Sequence, residues 1–175
     1  SAGSYEVVAT KVGETLRGVV MLTVAPMVGS VVAWGGNAAN HATVPAGLGN
    51  VVSVAGGDHH NLVLRADGTA AAWGSEYSGE TTTPTGLSNV VAVSASGFHS
   101  VALRADGTVA AWPGYSLELA NMAARAVNVV SVSAGLAHMV ALRSDGTVLA
   151  WGNNTGGAAT VPPGLAGVVG IAAGG

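Results

Sequence analysis

Four tryptophans, Trp34, Trp73, Trp112 and Trp151, stand 39 residues apart. The same offset relates Val51-Val52, Val90-Val91, Val129-Val130 and Val168-Val169, the histidines His60, His99 and His138, and the arginines Arg65, Arg104 and Arg143. It also relates the Asp-Gly pairs that begin at Asp67, Asp106 and Asp145. Register kept at so many positions without an insertion marks a repeat architecture, in which each unit completes its core by packing on its neighbours.

Within one unit, VVSVAGG is β-branched and ends on Gly, HNLVLRAD alternates apolar and polar residues, an Asp-Gly pair follows, and TAAAWG runs to another Gly. This order predicts strand, strand, tight turn, strand, with Asp-Gly supplying the positive backbone angles of a two-residue hairpin. The linkers GGNAANHATVPAGL, GSEYSGETTTPTGL, PGYSLELANMAARA and GNNTGGAATVPPGL vary, and each is expected to carry a short outer strand and the crossing to the next unit. Up to four strands in about 40 residues describes one blade of a β-propeller.

Composition agrees with many short strands and excludes several functions. Charged residues make up 9% of the chain, against roughly 25% in ordinary soluble domains, and Gly is abundant. A net charge of -3 gives a phosphate backbone nothing to bind, so nucleic acid is set aside as a partner. The absence of Cys rules out a disulfide framework, a thiolate metal site and a cysteine nucleophile. The opening Ser-Ala-Gly shows no charged-then-apolar leader, so a signal peptide is expected to be absent or removed. The uncharged stretch from Gly18 to Asn40 is long enough to span a bilayer. Pro26 and four glycines (Gly18, Gly29, Gly35, Gly36) interrupt it, however, and its second half keeps the repeat register, so no membrane span is expected.

The pattern VVxVxAGxxHxxALRxDGTVxAWG is similar to the repeat of the regulator of chromosome condensation family, in the short bacterial form whose linkers often read NVPxGL. TVPAGL and TVPPGL match that form, the degraded NMAARAV precedes the unit at Val129, and the resemblance covers roughly residues 31–175. The first 25 residues depart from it. SAGSYEVVATKVGETLRGVVMLTV resembles the last hairpin of a bacterial immunoglobulin-like domain, with Gly3 and Tyr5 in place of the strand-opening Gly-x-Tyr whose Tyr forms the tyrosine corner. These resemblances imply a piece of a secreted, extracellular bacterial multidomain protein.

The expected fold is all-β, a small β-propeller with residues 1–19 as an immunoglobulin-like remnant and residues 20–175 as four units of 39. Complete blades are expected at about 51–89, 90–128 and 129–167, and residues 168–175 would join 20–50 in a composite fourth blade. Met21 to Trp34 aligns with the second and third strands of a blade, with Gly29 on the turn Gly. Closure of this kind hides sheet edges. The resembled family usually closes with seven blades, and the competing arrangement here is an eight-blade ring shared by two chains in a homodimer.

Repeated residues are read first as scaffold. The resemblance implies that His60, His99 and His138 hold neighbouring segments by hydrogen bonds; the rival is a ring of imidazoles around a metal. Asp67, Asp106 and Asp145 accept backbone hydrogen bonds in their turns, Arg65, Arg104 and Arg143 pair with them or cover a neighbour, and Trp34, Trp73, Trp112 and Trp151 pack between blades. Departures from the repeat carry the candidate sites, since variable loops on a rigid scaffold display function. Asp58 and His59 stand where other units have Gly97-Phe98 and Leu136-Ala137, and they are the candidate catalytic pair. His41, Glu76, Tyr77, Glu80, Tyr115 and Glu118 are candidate binding-loop residues. Asp58 with Asn153 and Asn154 is a candidate oxygen-rich calcium site.

The leading reading is a binding module whose loops contact a protein or a carbohydrate, without nucleotide-exchange activity. The alternative is a calcium-dependent hydrolase acting on a small lactone or ester, in which the cation polarises the carbonyl. Gly-x-Ser-x-Gly, His-Glu-x-x-His and P-loop motifs are all missing from the sequence. A third reading is a structural adhesion module.

Overall fold

The computed structural model describes residues 29–35, 37–113 and 117–174. They form three antiparallel three-stranded sheets, each a blade in which the middle strand pairs with both neighbours. Blade 1 is β1 (Val51–Gly56), β2 (His60–Arg65) and β3 (Ala70–Gly74). Blade 2 is β4 (Val90–Ser96), β5 (His99–Arg104) and β6 (Val109–Pro113). After the helix α1 (Leu117–Ala123), blade 3 follows as β7 (Val129–Ala134), β8 (His138–Arg143) and β9 (Val148–Gly152). Register repeats with the sequence: Trp73 opposes Asn61, Trp112 opposes Ser100, and Trp151 opposes Met139. None of the described helices is long and apolar enough to cross a membrane.

The hydrophobic core lies in the seams between blades. Val51, Val63 and Trp73 pack with Val31, Val44 and Leu48 of the preceding segment. Leu62 and Leu64 of blade 1 pack with Val90, Ala102 and Trp112. Val101, Leu103, Val109 and Ala111 of blade 2 pack with Val129, Ala134, Met139, Ala141 and Trp151. A middle strand thus faces a seam on each side: Val63 points back while Leu62 and Leu64 point forward. That is why HNLVLR and HSVALR are apolar at consecutive positions rather than strictly alternating.

Two local expectations are corrected. The Asp-Gly hairpin is not a two-residue turn: only Gly68, Gly107 and Gly146 have positive φ (77°, 78° and 78°), and each Asp does not. Gly68 N donates to Arg65 O at 3.0 Å and Arg65 N donates to Thr69 O at 2.8 Å, which makes a type I turn closed by a left-handed glycine. The Asp side chain selects this geometry. Asp67 Oδ1 accepts from Thr69 N at 2.9 Å and Thr69 Oγ1 at 2.6 Å, and Asp106 and Asp145 repeat the pattern.

The linkers, in turn, add no fourth strand to the described sheets. Pro45, Pro84 and Pro162 open turns in which the carbonyl accepts from the N–H of Leu48, Leu87 and Leu165, with Gly47, Gly86 and Gly164 at positive φ. A Gly with positive φ at the third position, following Ala46, Thr85 or Pro163 at the second, is the chemistry of a type II turn, not of a strand. The linker before Val129 lacks that Pro-x-Gly and is rich in Leu, Ala and Met, so it coils into α1 and sets Ala123 and Ala126 into the seam.

Blade contacts recur at both ends of the arc. Val90 N donates to Gly68 O, Val129 N to Gly107 O and Val168 N to Gly146 O, at 3.0, 3.0 and 3.1 Å. Ala134 N donates to Ser94 Oγ and Ala173 N to Ser133 Oγ, at 3.0 and 2.9 Å. Residues 168–174 therefore lie where the first strand of a next blade would lie, although they carry no ladder of their own. Gly29 bridges Val51 at the opposite end. The middle strand expected for a composite blade, from Met21 onward, and the immunoglobulin-like hairpin lie outside the described residues.

Candidate functional site

The repeat residues sort to two ends of the blades. At one end are the hairpins, almost identical in sequence as RADGT, RADGT and RSDGT. At the other, the loop joining the first two strands meets the segment leaving the third: Ser75 N donates to His59 O and Asn153 N donates to Ala137 O, both at 2.8 Å. The departures from the repeat collect at this loop end.

Asp58 and His59 are both exposed there. Asp58 N donates across the seam to Gly97 O at 3.1 Å, which brings the loop of blade 1 against Phe98 of blade 2. The His59 ring lies 6.3 Å from that of His41 and 6.2 Å from that of Phe98, tilted by 48° and 54°. Gly74 permits this approach. It has φ 118°, and a Cβ there would stand 2.5 Å from His59 O and 3.2 Å from His41 Cβ. His41 also forms one wall of a cleft of about 260 Å³ lined by Val31, Trp34, Val54, Asn61 and Trp73 among others. Glu76 and Tyr77 follow Ser75 directly, and Tyr77 is 82% exposed.

Beneath this surface a buried polar chain joins the blades. His60 Nε2 lies 2.9 Å from Ser100 Oγ, and Ser100 Oγ donates to the carbonyl oxygen of Glu80 at 3.1 Å. Because the hydroxyl proton is committed to Glu80 O, the imidazole is the donor to Oγ. Ser100 is fully buried and its proton points away from the imidazole, so this pair is a fastening and not an activated nucleophile. The same Glu80 carbonyl accepts from Trp112 Nε1 at 3.0 Å. One unit earlier, the His41 carbonyl accepts from Trp73 Nε1 at 3.0 Å and from Asn61 Nδ2 at 2.6 Å.

Burial holds the His60 pKa below its ordinary value, with the negative charges of Glu80 and Asp58 opposing; burial also lowers that of His99. A folded-state pKa below the unfolded one means that the folded chain binds fewer protons. Stability is complete above the ordinary value of 6.5 and declines as pH falls from there through the lowered folded values. Asp67, Asp106 and Asp145 are held low by the Thr hydroxyl and N–H that each accepts, so their contribution is lost only below about 3.8. Melting temperature is therefore expected to fall between pH 7 and 5 and again below pH 4. His60→Gln, which keeps a donor toward Ser100, should flatten the first step; an unchanged slope would assign it elsewhere.

Several sequence expectations are corrected at this level. Glu80 is not a displayed loop residue: it is fully buried, with Oε2 accepting from Ser78 N at 2.6 Å. Its carbonyl serves both Trp112 and Ser100, which draws the chain into the seam, and the offset from His41 to Glu80 was the signal for this in the sequence. Trp34 does not pack between blades as Trp73, Trp112 and Trp151 do; it is 85% exposed, against 8%, 7% and 4%. The slot of a repeat Trp is made by the unit before it, and no described unit precedes Trp34. Asp58 is separated from Asn153 and Asn154 by the whole of blade 2. Asn153 Oδ1 accepts from Thr155 N at 2.7 Å and Asn154 Oδ1 from Ala159 N at 2.9 Å, so both oxygens are turned into their own loop. No three His, Asp or Glu among the described residues converge to hold a metal ion, which also applies to the imidazole ring reading. Tyr115 lies outside the described residues, and Glu118 is placed only as part of α1.

The regulator of chromosome condensation (RCC1) repeat profile matches residues 51–80, 90–112 and 129–158. No curated protein matches the chain at a significant level. Solved structures similar to it include Prp20p from Saccharomyces cerevisiae, at 21% identity and TM-score 0.58, over 76% of this chain and 43% of that one. The ectodomain of the Physcomitrella patens receptor kinase CR4 is 24% identical with TM-score 0.61, over 81% and 40%. Human WBSCR16 is 22% identical with TM-score 0.54, over 71% and 42%. The chain thus matches about two fifths of the length of each, and at these identities the likeness is one of fold. With the profile matched in three units and three sheets in the same register, residues 51–158 of the chain carry three regulator of chromosome condensation (RCC1) repeats, each built as one blade.

Proposed function

We propose that this chain is a protein-interaction scaffold that works through the loop end of its blades. One observation carries the reading: hairpins and seam residues repeat from unit to unit, while Asp58-His59, Gly97-Phe98 and Leu136-Ala137 differ at the same loop end, where Asp58, His59 and Leu136 are exposed. A scaffold held constant beneath varied loops is how a rigid fold presents a recognition surface. The family gives the same direction, since Prp20p is described by its binding to Gsp1p and histones. Those partners belong to Prp20p, and this chain's own follow from its loops.

The test is binding to protein and glycan panels by the chain and by Asp58→Asn/His59→Ala. The variant should melt within about 2 °C of the parent, because both side chains are exposed. It should lose the protein ligand that the parent retains. Absence of any protein ligand, or binding indifferent to these two changes, would sink the reading.

A further inference from the structure

Charge is divided between the two ends. The described cations Arg65, Arg104 and Arg143 sit on the hairpins beside Asp67, Asp106 and Asp145. Arg125 lies three residues before Asn128, whose carbonyl accepts from Ser144 of the third hairpin at 2.9 Å, so it belongs to that end too. The described loop end carries Asp58, Glu76 and the buried Glu80, and none of these four arginines is there to balance them. The rings of His41, His59 and Phe98 form a row beside Asp58, with Glu76 and Tyr77 on the strand exit bonded to His59.

We infer that this row is an arginine-binding platform, and that the partner presents a guanidinium which stacks on His59 and Phe98 while pairing with the Asp58 carboxylate. The inference rests on the scaffold reading and names the chemistry of its partner. Ring faces attract a planar cation electrostatically, and a guanidinium combines that stacking with forked donors suited to a carboxylate. Ring centroids only 6.2–6.3 Å apart leave no slot for a group between them, so the guanidinium lies over the row. A lysine ammonium has the charge without the plane. The platform is also particular to the first seam: the positions of His59 and Phe98 hold Ala137 in blade 3, and that of His41 holds Ala158.

The experiment is titration of the isotope-labelled chain with an arginine–glycine octapeptide, its lysine twin, a serine–glycine control and a neutral oligosaccharide, followed by amide chemical shifts. Saturable shifts at Asp58, His59 and Phe98 are expected with the arginine peptide, weaker ones with the lysine peptide, and none with the control. Asp58→Asn/His59→Ala should weaken the arginine peptide by about tenfold, with melting temperature showing the fold intact. Absence of saturable shifts, shifts centred on Asp67, Asp106 and Asp145, or a platform that answers only to the oligosaccharide would overturn the inference. Should the protein panel yield a ligand sensitive to Asp58 and His59 while arginine peptides fail, only this inference falls; the scaffold reading falls with an empty panel.

Discussion

Replacing Trp112 with Ala is expected to cost about 3–5 kcal/mol of stability, while the same change at Trp34 costs less than about 0.5 kcal/mol. The two residues occupy one position of the repeat, and sequence alone gives no reason to treat them differently. Trp112 is 7% exposed, packs with Leu62, Leu64, Val90 and Ala102, and donates its indole N–H to Glu80 O. Its removal empties the seam between blades 1 and 2 and leaves a buried carbonyl with one donor fewer. Trp34 is 85% exposed and has no such slot. Since a domain of this size is held by only about 5–15 kcal/mol in all, the first variant should lose much of its cooperative unfolding transition in urea. The second should overlay the parent. Equal losses at the two positions would mean that Trp34 is covered in solution.

Gly97→Ala is the second large effect. Gly97 has φ 51°, and a Cβ there would stand 2.6 Å from Leu136 O, a backbone atom of the next blade. An L-residue pays about 1–2 kcal/mol for the left-handed conformation, and the carbonyl must also move, so a total loss above about 2 kcal/mol is expected. Asp58 N reaches Gly97 O from the other side, so the change strains two seams at once. Gly79→Ala is the control: φ is 79° and nothing lies within 4 Å, which leaves only the backbone penalty of about 1–2 kcal/mol. Denaturant melts should separate the two variants, and hydrogen exchange should quicken around Leu136 in Gly97→Ala alone. Equal losses would show that the seam yields without resistance.

The blades were legible in the sequence because the signals that made them are short-range. Val pairs, Asp-Gly and Trp at a fixed offset set strand, turn and strand before any neighbour is present. The type of turn was not legible, because it is decided by Asp67 accepting from the Thr69 N–H and hydroxyl rather than by the Asp-Gly pair itself. The fourth strand failed for a related reason: Pro-x-Gly dictates a turn, and the Ala-rich linker dictates a helix. Burial was legible only where a residue carries its own apolar side chain. Glu80 is buried on account of what its backbone carbonyl does for Trp112 and Ser100, and a sequence shows side chains rather than carbonyls. Of the candidate site, Asp58 and His59 stood out by departing from the repeat. Phe98 did not, because the chemistry joins it to His59 only across a seam.

The bonds between blades also bear on how the chain finds its fold. Val90 bonds to Gly68, Val129 to Gly107 and Val168 to Gly146, each a closure of 22 residues, and the side-chain fastenings His60 to Ser100 and Ala134 to Ser94 span 40. Each such closure is short, and its entropic cost grows only slowly with length. A finished blade therefore offers the next one its hairpin carbonyl and its half of the apolar seam as soon as that blade is made. Assembly can run as a zipper from one end, with each added blade folding against a surface already in place, at a speed set by local closures instead of by a search for distant strands.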